Sequence, residues 1–317
     1  MTYTANNVAE ASSRSMRTVS RFAWLTLAYN IAVILWGAYV RATGSGAGCG
    51  NRWPLCNGQV LPPTPQAQTV IEFTHRLTSG LSLLMVSFLL VWCWRKTSKG
   101  HPARYSSVTA FILLLNEAVL GALLVLFDHV AQDRSAGRVL FLCLHFGNTL
   151  LLLAALALTA QWLANGEHHF VVIKKPREMI AVGFGLIAAI SIGITGAIAA
   201  LGDTIFPASS LHSSLMQDFS SGSHILLRLR LLHPAAAVIG AIYVLWLILR
   251  GFWRRGRSSA IAFLLTGTIA AQIGLGILNV LLLAPVWLQI IHLLFAEIFW
   301  VLLVLASATL VESTASH

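Results

Sequence analysis

Glu72–Trp94 reads EFTHRLTSGLSLLMVSFLLVWCW, and this stretch decides the fold. From Leu77 to Trp94 no residue is charged. At 1.5 Å per residue such a helix covers about 27 Å, close to the ~30 Å hydrocarbon core of a bilayer. Lipid offers no partner for backbone N–H and C=O groups, so a run of this kind must satisfy them internally as a helix. The polar residues Glu72, His75 and Arg76 are confined to its first turns.

Seven further runs share this character, giving eight expected transmembrane helices at 22–40, 72–94, 106–127, 139–163, 179–201, 225–249, 259–282 and 286–310. The first run exceeds a signal-peptide core and shows no clear cleavage site, so it reads as a helix. Over the whole chain 57% of residues are hydrophobic and 10% charged, against about 25% charged in soluble domains. A water-soluble protein is excluded. The net charge of +10 is not a nucleic-acid footprint, because the basic residues cluster in short connections between apolar runs.

Those clusters orient the chain. Arg14, Arg17 and Arg21 precede the first run, and Arg95, Lys96, Lys99 and Arg104 lie between the second and third. Lys174, Lys175 and Arg177 lie between the fourth and fifth, and Arg250, Arg254, Arg255 and Arg257 between the sixth and seventh. All fourteen fall on one side, so both termini are expected in the cytoplasm. The expected layout is an N-terminal segment at 1–21, a four-helix half at 22–163, a linker at 164–178, a second four-helix half at 179–310, and a tail at 311–317. The fold class is an all-α polytopic membrane protein of two pseudo-symmetric four-helix bundles.

The halves resemble each other. His75 and His233 open the second and sixth runs, and His145 and His292 open the fourth and eighth. Leu120-Gly121-Ala122 matches Leu275-Gly276-Ile277. Four helices per half preserves direction, so the repeat is parallel, about an axis along the membrane normal. Of eleven histidines only these four lie within apolar runs. A lone intramembrane histidine is usually a helix-packing group. Four at matched depth, in segments where polar groups are costly, point to function. Two imidazoles from two helices of a bundle suit a flat metal-bearing ring between them. Zinc wants three or four ligands, whereas haem needs only axial ones. Pairing His75 with His145 and His233 with His292 gives one haem site per half.

Arg76, Arg228 and Arg230 are candidate partners for haem propionates, the alternative being interfacial snorkelling. Glu72 shares a helix face with His75, and its counterpart in the second half is the basic Arg230. It is therefore a candidate catalytic carboxylate, or else one arm of a Glu72–Arg76 ion pair. Glu117 and Glu297 are further intramembrane acids, as proton-path residues, partners of polar neighbours, or protonated carboxyls. Cys49 and Cys56 share an external loop where a disulfide can form, as a staple or as a redox pair. Cys93 and Cys143 read as packing residues.

Several motifs together resemble the haem A synthase family. These are Val40-Arg41-Ala42-Thr43-Gly44-Ser45-Gly46, Trp53-Pro54-Leu55-Cys56 in the Cys49/Cys56 loop, and Glu72-Phe73-Thr74-His75-Arg76. They continue with Gly202-Asp203-Thr204-Ile205-Phe206-Pro207, Arg228-Leu229-Arg230 through His233-Pro234, and Asn279 through His292. The resemblance spans nearly all eight runs. It departs at Asn116, where a glutamine is expected, and in having no second external cysteine pair. It implies oxidation of a methyl group of haem O to the formyl group of haem A. It also implies a haem b held by His233 and His292, and substrate haem O between His75 and His145. Glu72 would be catalytic and Cys49/Cys56 redox-relevant. The setting implied is a bacterial plasma membrane, with haem O synthase and cytochrome oxidase assembly factors as candidate partners. Homo-oligomerisation is compatible with it. Two rivals remain open: a bis-histidine cytochrome that only carries electrons, and a transporter or haem-handling factor. The cytochrome leaves Glu72 in only one half without a purpose.

Overall fold

The computed structural model describes residues 2–62, 66–166, 176–253 and 260–315, with side chains over 15–62, 66–166, 176–251 and 260–310. Lys174, Lys175, Arg254, Arg255, Arg257, the Arg14 side chain and most of the 164–178 linker lie outside the described residues. Ten α-helices follow in order: α1 Thr2–Ala42, α2 Ala67–Lys96, α3 Pro102–Leu126, α4 Ala136–Ala164, α5 Pro176–Ile205, α6 Leu211–Phe219, α7 Ile225–Arg230, α8 Leu232–Ile248, α9 Ala260–Leu281 and α10 Val286–Ala315. Among the described residues there is no strand. Eight stretches among the described residues are long and apolar enough to cross a membrane.

Local sequence explains the boundaries. No glycine or proline occurs before Gly37, so α1 runs back to Thr2, well beyond the apolar run expected at 22–40. His101 caps α3 by accepting from Ala103 N, and Pro102 follows where its missing N–H costs nothing. Ser135 caps α4 by accepting from Arg138 N. The sixth run, expected as one helix, is divided at Leu231 between α7 and α8. Pro234 has no N–H to return to residue 230, so the break falls just before His233. The sequence reading also missed α6, a short helix held by a reciprocal Ser210/Ser213 capping box.

Helices α1, α2, α3 and α4 pack in a closed ring, and α5, α7/α8, α9 and α10 pack in another. The halves meet through α4 against α5 and α10, and through α1 against α5 and α10. Exchanging α1 with α5 and α4 with α10 maps this pattern onto itself, which is compatible with the axis expected from the repeat. The core runs along α4 and α10, through Leu152, Leu153, Leu156, Ala157, Leu303 and Ala306. Trp300 Nε1 donates to Leu150 O across this seam at 2.6 Å. Arg41 reaches from α1 into the other half, donating to Ala200 O, Thr204 Oγ1 and Gln289 Oε1.

Candidate functional site

All four intramembrane histidines stand near one end of the bundles, the end that carries the Cys49–Cys56 loop. Each imidazole lies against a glycine of a neighbouring helix. A Cβ added at Gly37 of α1 would come within 2.9 Å of His75 Cε1, and one at Gly196 of α5 within 3.0 Å of His233 Cε1. A Cβ at Gly121 of α3 would lie 3.6 Å from His145 Cε1, and one at Gly276 of α9 would lie 3.6 Å from His292 Cε1. Two helix-to-helix seats thus recur in each half. The sequence reading found Gly121 and Gly276 but missed Gly37 and Gly196, whose signal was the Gly-Ala step in Trp36-Gly37-Ala38 and Thr195-Gly196-Ala197.

The distances sort the four glycines. Alanine in a helix interior is favoured over glycine by up to about 1 kcal/mol, whereas overpacking costs about 1–3 kcal/mol. Gly121→Ala and Gly276→Ala make ordinary contacts, so their thermal midpoints are expected to hold or rise. Gly37→Ala and Gly196→Ala displace an imidazole, so theirs are expected to fall. Thermal unfolding of the four variants in detergent checks this ordering, and a uniform response would show that the seats are slack.

In the second half the His233 and His292 rings stand 6.3 Å apart between centroids, at 83°. Two metal–imidazole bonds of ~2 Å each, as seen at zinc, leave roughly 2 Å for the two ring half-widths. The spacing leaves room for one iron that both imidazoles would hold. His233 Nδ1 is 3.3 Å from Thr195 Oγ1. His292 Nδ1, Gln272 Oε1 and Asn279 Oδ1 are buried without a hydrogen-bond partner among the described residues. Unpaired buried polar atoms are rare in native proteins and ask for an explanation. Three in α9 and α10 mark this region as a site.

In the first half His145 faces Glu117. Glu117 is not isolated, since Asn148 Nδ2 and Thr149 Oγ1 both donate to it and its Oε1 lies 3.1 Å from His145 Nδ1. Of the roles open to Glu117, the structure realises that of a partner to polar neighbours. Glu297, in contrast, is 1% exposed and neither oxygen has a partner among the described residues.

Glu72 is buried and fully engaged. Oε2 accepts from Cys49 N at 2.8 Å, and Oε1 accepts from Arg76 Nη2 at 2.6 Å and Nε at 3.1 Å. Arg76 Nη1 also donates to Arg52 O and Leu55 O. Cys49 and Cys56 form a disulfide, in a loop with a cis Trp53–Pro54 bond. Thr69 Oγ1 donates to Gly48 O at 2.8 Å. The first turns of α2 therefore hold the disulfide loop. In the second half Arg230 pairs with Asp203 at 2.6 Å and Asp218 at 2.5 Å, and Arg228 Nη2 donates to Ser221 O. Any propionate drawn to Arg76 or Arg230 has to share an arginine already held by carboxylates. The charge three residues before the histidine is reversed between halves: Glu72 stands before His75 on α2, and Arg230, at the end of α7, stands before His233.

Other histidines have local duties. His101 and His224 cap α3 and α7, and His129 pairs with Asp133. No cluster of three or more His, Cys, Asp or Glu residues able to hold a metal ion occurs among the described residues.

Comparison with known proteins agrees with this architecture. A protein from Thermus thermophilus named "Protoheme IX farnesyltransferase" is 43% identical over 305 residues, covering 93% of this chain and 49% of that protein. The chain thus spans about half the length of that relative. "Heme A synthase" of Bacillus pumilus is 31% identical over 225 residues, covering 68% of each chain. "Heme A synthase" of Alkalihalophilus pseudofirmus is 38% identical over 148 residues, covering 46% of this chain and 47% of that one. Residues 20–304 match the cytochrome oxidase assembly protein family, and the chain belongs to that family.

Proposed function

We propose that this protein is a haem A synthase, a membrane oxidoreductase that converts a methyl group of haem O to the formyl group of haem A. One observation carries the reading. Two half-bundles repeat the same imidazole seats, but a carboxylate three residues before the histidine, Glu72, occurs in the first half alone. A protein that only carried electrons would have no use for this difference. The Thermus relative's name describes a protein with about as much chain again outside the match, so farnesyl transfer is not carried over.

In this reading His233 and His292 hold a resident haem b, which supplies electron transfer when bound. His75 and His145 receive the iron of haem O, and the glycine seats behind them fix each ring's position. Oxidising a methyl group removes electrons and protons, so a base close to the reacting edge is required. Glu72 is the base. Arg76 and the Cys49 N–H hold its carboxylate in place. Arg228 and Arg230, with Arg76, are the propionate-side cations at the same end. In this reading the chain lies in a bacterial plasma membrane with both termini cytoplasmic. Haem O synthase and other oxidase assembly factors are its partners, and the site end faces outward.

Cells making the protein with a haem O supply are expected to yield haem A on chromatography of extracted pigments. Haem O unchanged beside a normal b-type spectrum would favour the electron carrier instead. The disulfide gives a second test. Mass spectrometry without reductant is expected to find the Cys49–Cys56 linked peptide, and Cys49→Ser is expected to lower haem A yield severalfold. Full product from Cys49→Ser would make the bond a loop staple only.

A further inference from the structure

The two halves differ at a second place, deeper than Glu72. Asn116 Nδ2 donates to Asn148 Oδ1 at 2.8 Å, and Asn148 Nδ2 donates to Leu113 O at 2.9 Å and to Glu117 Oε2. Thr149 Oγ1 donates to Glu117 Oε1 and to His145 O. The same Oε1 faces His145 Nδ1 at 3.1 Å, at contact distance without the alignment of a formed hydrogen bond. A small turn of the imidazole completes it. Aligning Gly121 with Gly276 places Ala271 and Gln272 opposite Asn116 and Glu117. Aligning His145 with His292 places Phe295 and Ala296 opposite Asn148 and Thr149. The whole polar network belongs to the first half. In the second half Gln272 Oε1 and His292 Nδ1 are both buried without partners among the described residues.

We propose that Glu117 is a positioning residue that sets His145 apart from its counterpart His292. Its carboxylate takes the Nδ1–H of His145, which fixes the tautomer and presents Nε2 to the substrate haem. Metal-binding histidines commonly donate their other N–H to a carboxylate, which orients the ring and raises its basicity. A more basic imidazole favours oxidised iron, whereas the neutral Gln272 gives His292 no such push. The inference rests on the reading of the first half as the haem O site. It goes further in making the two haem positions unequal in potential, through a residue that acts on the imidazole of His145.

The test uses the purified full-length protein carrying its haem b, with haem O added and both haems followed by optical redox titration. In the wild type the haem O wave is expected below the haem b wave. Glu117→Gln is expected to weaken haem O binding by about ten- to a hundredfold and to raise the haem O wave alone. A tenfold weaker preference for oxidised iron corresponds to about 59 mV for a one-electron couple. Glu117→Asp is expected to recover part of both effects. Gln272→Glu places a carboxylate at the position that aligns with Glu117 and is expected to lower the haem b wave instead. Unchanged haem O affinity and potential in Glu117→Gln would overturn the proposal, as would both waves moving together. If Glu117→Gln also loses haem b, the Gln272→Glu result decides alone, and an unmoved haem b wave there overturns it. Wild-type protein that takes up no haem O, or takes it up equally well without His75 and His145, would instead sink the synthase reading before any Glu117 variant is made.

Discussion

Glu72→Gln protein is expected to accumulate haem O, with haem A reduced at least about a hundredfold, the low end of what a positioned acid or base contributes. The substitution keeps the side chain's shape. The amide oxygen can still accept from Cys49 N or from Arg76, so the loop stays docked and the protein stays in the membrane. What disappears is the negative charge that pairs with Arg76 and that, in the proposed reaction, takes up a proton. The b-type spectrum of the second half is expected to persist, because Glu72 lies on α2 whereas His233 and His292 lie on α8 and α10. Pigment chromatography together with the absorption spectrum separates the outcomes. Loss of all bound haem would reveal a carboxylate needed for folding, and undiminished haem A would remove Glu72 from the chemistry.

Replacing His233 or His292 with alanine has the other large expected effect. The rings are 6.3 Å apart across one half-bundle, a spacing within which both would hold a single iron. Either variant is therefore expected to lose the low-spin b-type spectrum entirely, since one remaining imidazole leaves the iron a ligand short. His75→Ala and His145→Ala are expected to keep that spectrum while losing haem A formation. A full wild-type spectrum in both His233→Ala and His292→Ala would mean that the resident haem sits elsewhere.

The membrane architecture was legible because the bilayer imposes a single length and a single backbone solution on each crossing segment. Helix ends were less so. The start of α1 at Thr2 follows from an unbroken run of residues that tolerate helix, which hydropathy does not register. The break before His233 was visible in Pro234 but was read as part of one span. The short helix α6 is polar on one face, and its serine box is the only signal it offers. At the site, histidines stood out because polar groups in apolar runs are costly. Their glycine seats stood out less, because a glycine in a transmembrane helix has many uses and only the fold shows which imidazole fills the space. The pairing of Glu117 with His145 was equally hidden: its two residues come from different helices, and only packing of α3 on α4 brings them together.

The tie between Glu72 and the disulfide loop has a consequence for genetics. Gly48 sits where an added Cβ would lie 2.4 Å from Gln68 O, Thr69 holds Gly48 O, and Glu72 holds Cys49 N while Arg76 holds the far side of the loop. Lesions at Gly48, Thr69, Glu72 and Arg76 therefore share one phenotype, although they fall in two separate stretches of the gene. Pairs of them should show epistasis rather than simple addition, because the second lesion acts on a joint that the first has already opened.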